Sequence, residues 1–112
     1  MKLTVIQTLP ALNSGGVERG TIEVADKLVR KGHRSIVIYS GGQMLNQLLE
    51  TGSEHITLPI GKKSLSSLLL IKELRRVIRE SEANILHARS RLPAWLSYLA
   101  WRKLSKDSRP HF

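Results

Sequence analysis

Two short stretches of the sequence carry residues whose types and spacing could bind an anion. The first, "NSGGVERG" from Asn13 to Gly20, follows an apolar run and precedes a helical pattern. Gly15 and Gly16 would let the backbone approach a ligand closely, and the start of a helix offers free N–H groups and a positive dipole end. Arg19 adds a side chain that could reach a phosphate or carboxylate. A plain tight turn followed by a solvated Arg19 is the alternative.

The spacing of these glycines argues against two common nucleotide-binding motifs. A dinucleotide fingerprint needs G-x-G-x-x-G and an acidic residue after the second strand, whereas this chain has glycines at 15, 16 and 20 and Ser40-Gly41-Gly42 after that strand. No Gly-Lys-Ser/Thr follows the loop, so it is not a P-loop. The sequence therefore disfavours an NAD-dependent enzyme and a P-loop NTPase.

The second stretch, "LHARSR", contains His87, Arg89, Ser90 and Arg91. It falls at the carboxyl end of a predicted strand, which is the edge where open α/β sheets hold their ligands. We therefore predict a binding role for these residues, with a hydrogen-bonded core position as the alternative for His87. Neither a second histidine nor a cysteine lies nearby, so the sequence predicts no metal site.

A basic stripe is predicted on the third helix, because four basic residues recur at i, i+3, i+4 and i+7. They are Lys72, Arg75, Arg76 and Arg79. An anionic membrane or a polyanionic partner would explain such a stripe, and a solvated helix face partly offset by nearby glutamates is the alternative. The last helix carries Trp95, Tyr98 and Trp101 beside further basic residues, which suits either core packing or contact with lipid headgroups.

The elements that must position these residues alternate along the chain. Strands are predicted at 3–6, 36–39, 55–60 and 85–87. Helices are predicted from about 17 to a C-terminal cap at Gly32, within 43–52, over 65–78 and from about 93 to 104. The apolar side of the third helix is predicted to comprise Leu65, Leu68, Leu69, Leu74, Val77 and Ile78. This β-α-β-α-β-α-β-α order predicts an α/β, Rossmann-like parallel sheet with helices on both faces.

Bulk composition narrows the class of protein further. A chain of 112 residues with 41% hydrophobic residues is long enough for one domain, and it has no cysteine for disulfides, thiolate metal sites or cysteine catalysis. No signal peptide or spanning segment is predicted, which favours a cytoplasmic protein. The net charge of +9 would attract nucleic acid, an anionic membrane face or phosphorylated ligands.

"GGVERG", "LVRKGH", "SIVIYS" and "ILHARSRLPAWL" together resemble the amino-terminal half of a retaining family 4 glycosyltransferase with the GT-B fold. "HARSRLPAW" is similar to bacterial members that build lipopolysaccharide or related envelope glycans. The resemblance implies transfer of a sugar from a nucleotide-sugar, which is a co-substrate, without any separate cofactor. It implies that Gly15, Gly16 and Arg19 face the donor.

The resemblance also implies that His87, Arg89, Ser90 and Arg91 line the acceptor side, for a glycan or lipid-linked acceptor. Many members are peripheral membrane proteins with a basic amino-terminal face. The sequence departs from the family pattern at Arg89, where a second histidine is frequent. Residues 1–112 lack the carboxy-terminal domain with most nucleotide contacts and the glutamate pair, so we expect no activity from this chain alone.

Several interpretations follow from that expectation. The chain is a fragment, a truncated reading frame, or one half of a split enzyme with a separate carboxy-terminal domain or subunit. One alternative is a stand-alone α/β module that binds a nucleotide or phosphosugar through the same loop. A basic nucleic-acid-binding module is a weaker alternative, because the sequence has no recognised nucleic-acid motif and we expect no specific nucleic-acid partner.

Overall fold

Strands and helices alternate along the described part of the chain. This computed structural model describes residues 2–9, 16–41, 45–58, 67–89, 91–107 and 109–112, with the backbone alone described at 16, 17, 67, 68, 91–93 and 95. The strands are β1 (Thr4–Thr8), β2 (Arg34–Tyr39), β3 (Glu54–Thr57) and β4 (Ile85–Ala88). The helices are α1 (Gly16–Arg30), α2 (Leu45–Glu50), α3 (Ser67–Ser81) and α4 (Arg91–Trp101). The predicted order of elements is confirmed.

The four strands form one sheet in the order β3-β2-β1-β4. All three neighbouring pairs are parallel, so the carboxyl ends of the strands lie at the same edge. β1 lies inside the sheet, because β2 pairs with it on one side and β4 on the other. This arrangement confirms the predicted Rossmann-like α/β fold.

The larger hydrophobic core fills the space between one sheet face and helices α3 and α4. Every second residue of a strand points to the same face, which places Ile6, Ile36 and Leu86 together on this side. Leu74 of α3 and Leu96 of α4 pack against them. Burial of these aliphatic side chains, each worth about 1.5–3 kcal/mol, is the main force that holds the two helices on the sheet.

A smaller core covers the opposite face of the sheet. Leu9, Val37 and Tyr39 contribute from the strands and their extensions, Ala25 from α1 and Leu48 from α2. Helices therefore lie on both faces, as the sequence predicted. This second core holds α1 over the sheet through Ala25.

The predicted apolar side of the third helix is partly wrong. Leu69 is 66% exposed, whereas Leu70, Ile71 and Leu74 are buried. Leu74 lies five positions after Leu69, which is a rotation of roughly 140° at about 100° per residue. Leu69 therefore lies on the outer side of α3. The predicted Leu65 and the side chain of Leu68 lie outside what the structure describes.

The end of the chain returns to the sheet. α4 ends at Trp101, three residues before the predicted boundary, and is followed by a turn. His111 then forms a parallel bridge with Ile85. The backbone N–H of Leu86 donates to the His111 carbonyl at 2.7 Å, and the N–H of His111 donates to the Asn84 carbonyl at 2.8 Å. The segment before Phe112 thus lies along the outer edge of β4.

The cap that ends α1 is the one predicted at Gly32. This residue has φ of +84°, and its N–H donates to the Val29 carbonyl at 3.0 Å, while that of His33 donates to the Leu28 carbonyl at 2.8 Å. These two bonds form a Schellman motif, which satisfies carbonyls that a helix end leaves without partners. The motif turns the chain sharply into β2.

A Gly32→Ala substitution tests this cap. We expect it to lower the free energy of unfolding by about 1–2 kcal/mol, because a Cβ is unfavourable at positive φ. Gly20→Ala is the matched control in the interior of α1. Among the described residues outside its own helix backbone, the atom nearest to its new Cβ would be Nη1 of Arg89 at 3.8 Å, and we expect the substitution to raise stability by roughly 0.5–1 kcal/mol. Urea denaturation measures both, and equal stability of the two variants would contradict the assignment.

Candidate functional site

The candidate site lies at the carboxyl edge of the sheet, where β1 and β4 end side by side. Gln7 is paired with His87 and Thr8 with Ala88 in the register of the two strands. The backbone N–H of Arg89 donates to the Thr8 carbonyl at 2.7 Å, so the pairing continues one residue past β4. This backbone bond fixes the point at which the "HARSR" stretch leaves the sheet.

The Arg89 side chain is tied to a glutamine in the middle of the sheet. Nε and Nη2 of Arg89 donate to Oε1 of Gln7 at 3.1 and 2.9 Å. Gln7 is completely buried, and its Nε2 donates to the Thr21 carbonyl of α1 at 3.3 Å. Gln7 therefore links three elements: its own strand β1, the residue that follows β4, and helix α1.

α1 passes close to the Arg89 guanidinium. A Cβ built at Gly20 would lie 3.8 Å from Nη1 of Arg89, which is ordinary van der Waals contact. At Gly20, therefore, α1 presents its backbone and no side chain to this nitrogen. The two motifs that the sequence analysis singled out, "GGVERG" and "HARSR", meet at this point through Gly20 and Arg89.

No carboxylate of the chain neutralises Arg89. All nine Asp and Glu residues of the sequence lie in the described ranges. Their ion pairs join Arg30 with Asp26, Arg34 with Glu54, and Arg76 with two glutamates. Arg89 is half-buried. Among the described residues, its side chain donates hydrogen bonds to the neutral amide oxygen of Gln7. The site therefore carries an uncompensated positive charge.

His87 shares the sheet face of Gln7 and Arg89, because residues two apart in a strand point the same way. Its side chain is accessible at the surface. Partial desolvation of the ring lowers the pKa of His87, and the positive charge of Arg89 lowers it further. The lowered pKa favours the neutral imidazole, in which one ring nitrogen donates a hydrogen bond and the other accepts one. The alternative of a core histidine is not supported.

On the other face of the sheet, a buried hydrogen bond fixes α4 near the same edge. The hydroxyl groups of Thr8 and Ser97 lie 3.0 Å apart, and both residues are completely inaccessible. The bond ties the centre of α4 to the last residue of β1. The start of α4, where Arg91 lies, is thereby held at the carboxyl edge of the sheet.

The remaining predicted site residues are only partly described. Gly16 and Arg91 are the first residues of α1 and α4, with their backbone described. The Arg19 side chain is exposed in the first turn of α1. Gly15 and Ser90 lie outside the described residues. The donor and acceptor roles assigned to all of these residues stay predictions.

Sequence reasoning missed Gln7. A glutamine inside the apolar run before the first loop was the available signal, because an interior strand position seldom holds a polar residue without a partner. The partner itself, Arg89, lies 82 residues away in sequence. The contact depends on the pairing of β1 with β4, which the sequence alone does not specify.

The predicted basic stripe lies on the outer side of α3 but is not uniform. Lys72, Arg76 and Arg79 are exposed, whereas Arg75 is half-buried. Two glutamates accept hydrogen bonds from Arg76: Glu73 at 2.7 Å and Glu80 at 3.1 Å. These glutamates partly offset the positive charge of the stripe, as in the alternative of a solvated helix face. Within the described ranges, no helix is long and apolar enough to cross a membrane.

The aromatic residues of the last helix take part in packing near the chain end. Trp101 is half-buried, and its indole N–H donates to the Pro110 carbonyl at 2.6 Å. Tyr98 and Phe112 lie against it, with ring centroids 5.9 and 5.6 Å from that of Trp101. The Arg109 guanidinium lies 3.9 Å from the centroid of the Trp101 ring. Tyr98 is 40% exposed, and the side chain of Trp95 is not described.

Two grooves lie away from the candidate site. One, of about 720 Å³, borders Leu3, Asn84 and Ile85 at the amino ends of β1 and β4. A second, of about 340 Å³, lies beside the Arg34–Glu54 ion pair. Ligands of open α/β sheets bind at the opposite, carboxyl edge. The described residues also contain no cluster of three histidine, aspartate or glutamate side chains that could hold a metal ion.

Together the fold and the site define an α/β domain with a cationic carboxyl edge. Residues 14–111 match the family Glycosyltransferase Family 4. The chain is also similar to a crystal structure of a glycosyltransferase from Rickettsia africae ESF-5, with 42% identity and a TM-score of 0.82. The match covers 92% of this chain and 27% of that chain. No curated protein gives a significant match. The chain therefore belongs to glycosyltransferase family 4.

The proximity of His87 and Arg89 can be tested by NMR titration of the histidine ring. We expect the pKa of His87 to lie below its ordinary value, and to rise in Arg89→Gln because the neighbouring positive charge is removed. Desolvation should keep the value in the variant somewhat lowered. Arg102→Gln removes an exposed charge at the end of α4 and serves as the control. An unchanged His87 pKa in Arg89→Gln would show that the two groups do not interact.

Proposed function

We propose that this chain is the amino-terminal, acceptor-side domain of a retaining GT-B glycosyltransferase. The full enzyme would transfer a sugar from a nucleotide-sugar to a lipid-linked or polysaccharide acceptor in envelope glycan synthesis, at the cytoplasmic face of the membrane. The nucleotide-sugar acts as co-substrate, and no separate cofactor is involved. Membership of glycosyltransferase family 4 and the similarity to the Rickettsia glycosyltransferase support the general activity.

The cationic carboxyl edge is the observation that carries this proposal. Arg89 is held there without a carboxylate partner, next to the amino-terminal half of α1. Nucleotide-sugars carry a diphosphate, and many lipid-linked acceptors carry phosphate, so both substrates present anions to such an edge. In the proposed enzyme, Gly15, Gly16 and Arg19 face the donor. His87, Arg89, Ser90 and Arg91 line the acceptor side.

The chain supplies only part of the proposed enzyme. It spans 27% of the length of the Rickettsia glycosyltransferase chain. We propose that a carboxy-terminal domain or a separate subunit provides most contacts to the nucleotide, together with the acidic residues of the family. Transfer then takes place in the cleft between that part and the edge described above, and residues 1–112 alone are inactive.

A transfer assay tests the proposal on the natural-length protein that contains this chain. Radiolabelled UDP- and GDP-sugars are incubated with the protein and a lipid extract of the source cells. We expect label in the lipid or polysaccharide fraction, and at least a tenfold lower kcat/KM for Arg89→Ala, about the worth of one charged hydrogen bond. Arg102→Ala should behave like the wild type.

Two results would contradict the proposal. Tight nucleotide binding without transfer from any donor would favour the stand-alone nucleotide- or phosphosugar-binding module. Transfer that is equally fast in Arg89→Ala and wild type would show that the activity does not depend on the cationic edge.

We further infer that the outer side of α3 rests on an anionic membrane. Lys72 and Arg79 are exposed there, and Leu69, which is 66% exposed, lies on the same side of the helix. An exposed leucine among basic residues suits a helix that lies in the interface, with its apolar group inserted between lipid headgroups. The pairing of Arg76 with two glutamates reduces its share of this attraction.

Vesicle co-sedimentation at low salt tests the membrane contact. We expect the protein to be enriched on phosphatidylglycerol-containing vesicles over pure phosphatidylcholine vesicles. The double charge reversal Lys72→Glu/Arg79→Glu should weaken this binding at least tenfold, since each basic residue near the surface contributes about 1 kcal/mol. Lys27→Glu/Arg30→Glu makes the same charge change on α1, on the opposite sheet face. Equal loss in both variants would show that net charge alone drives binding.

A further inference from the structure

Gln7 has a buried, fully oriented side chain. Arginine N–H groups can only donate hydrogen bonds, and a backbone carbonyl can only accept them. The contacts with Arg89 and with the Thr21 carbonyl therefore require Oε1 of Gln7 to face Arg89 and Nε2 to face α1. With both ends of its amide bonded and no exposure to solvent, Gln7 has one orientation available.

This orientation fixes the plane of the Arg89 guanidinium. Two of its three nitrogens, Nε and Nη2, bond to a single oxygen atom of Gln7. Among the described residues, Nη1 has no hydrogen-bond acceptor, and Gly20 presents no side chain to it. Within the described part of the chain, the guanidinium thus keeps N–H groups that have no acceptor at the carboxyl edge of the sheet.

The charge of Arg89 is the second independent observation. Half-buried charged groups are normally paired, because removing an ion from water is costly. None of the nine carboxylates of the chain forms an ion pair with Arg89. Gln7 supports the cation through its amide dipole and leaves the full positive charge in place. A glutamate at this position would have cancelled it.

We propose that Gln7 is a positioning residue that presents Arg89 as a binding group for a substrate oxyanion, a phosphate or a carboxylate. A fixed guanidinium favours such ligands because its N–H groups form a planar fork that matches two oxygens of the anion. Because the amide of Gln7 is neutral, the guanidinium can bind an anion from outside the chain and is not paired with a carboxylate at position 7. For the source of the anion, this inference rests on the proposed function. The anion is then the diphosphate of the donor or a phosphate of the acceptor.

Binding of inorganic pyrophosphate, measured by calorimetry on the natural-length protein, tests this inference without requiring transfer. We expect Arg89→Ala to weaken binding at least tenfold, the effect of losing about one charged hydrogen bond. Gln7→Glu should weaken it as much, because the new carboxylate pairs with Arg89. Gln7→Leu keeps the charge but frees the guanidinium, so we expect a smaller loss. Arg102→Ala is the charge-matched control.

The NMR signal of the Arg89 Nε–H separates positioning from general stability. We expect slow solvent exchange of this proton in wild type and Gln7→Glu, and fast exchange in Gln7→Leu, with unchanged amide spectra elsewhere. UDP and a short isoprenyl phosphate then serve as probes of the donor and acceptor sides. The probe whose binding is weakened by Arg89→Ala is the one that contacts Arg89.

Two outcomes would overturn the inference. One is pyrophosphate affinity in Gln7→Glu equal to that of wild type, with the protein folded. The other is equal loss of affinity in Arg89→Ala and Arg102→Ala. Failure of the sugar-transfer assay with intact Arg89-dependent pyrophosphate binding would reject the proposed enzyme and leave the oxyanion site standing.

Discussion

The pairing of β1 with a parallel strand on each side is the constraint on which the rest of this structure depends. Because β1 is internal, its residues alternate between two cores, with Ile6 in the larger one and Gln7 facing α1. The same pairing places the end of β4 beside the end of β1. The Arg89 side chain can then reach back over the sheet face to Gln7.

The polar interactions at this edge have a different structural role from the two hydrophobic cores. Aliphatic burial holds the helices on the sheet but fixes orientations only approximately, because it is non-directional. The Gln7–Arg89 and Thr8–Ser97 bonds are directional, and they tie Arg89 and the centre of α4 to particular residues of β1. Removing a guanidinium partly from water without an ionic partner lowers stability, and the hydrogen bonds from Gln7 offset only part of that cost.

Strand and helix order was predictable, because apolar periodicity and turn residues are local signals. Gly32 shows this well, since a glycine after the last periodic residue and before a charged turn predicts the observed cap. Leu69 shows the limit. Its place in a leucine-rich run suggested burial, but the side of α3 that meets the sheet is set by the crossover from β3 to β4, and Leu69 lies outside. The same crossover exposes Lys72.

The sequence by itself determined the alternating α/β pattern, the excess of positive charge and the two motifs at the carboxyl ends of strands. Tertiary structure decided which of those residues meet. Gln7 and Arg89 are 82 positions apart, and only the register of β1 on β4 brings them within hydrogen-bond distance. Local sequence patterns indicate which residues face a core. A long-range contact depends on how separate elements pack, which is a property of the folded chain as a whole.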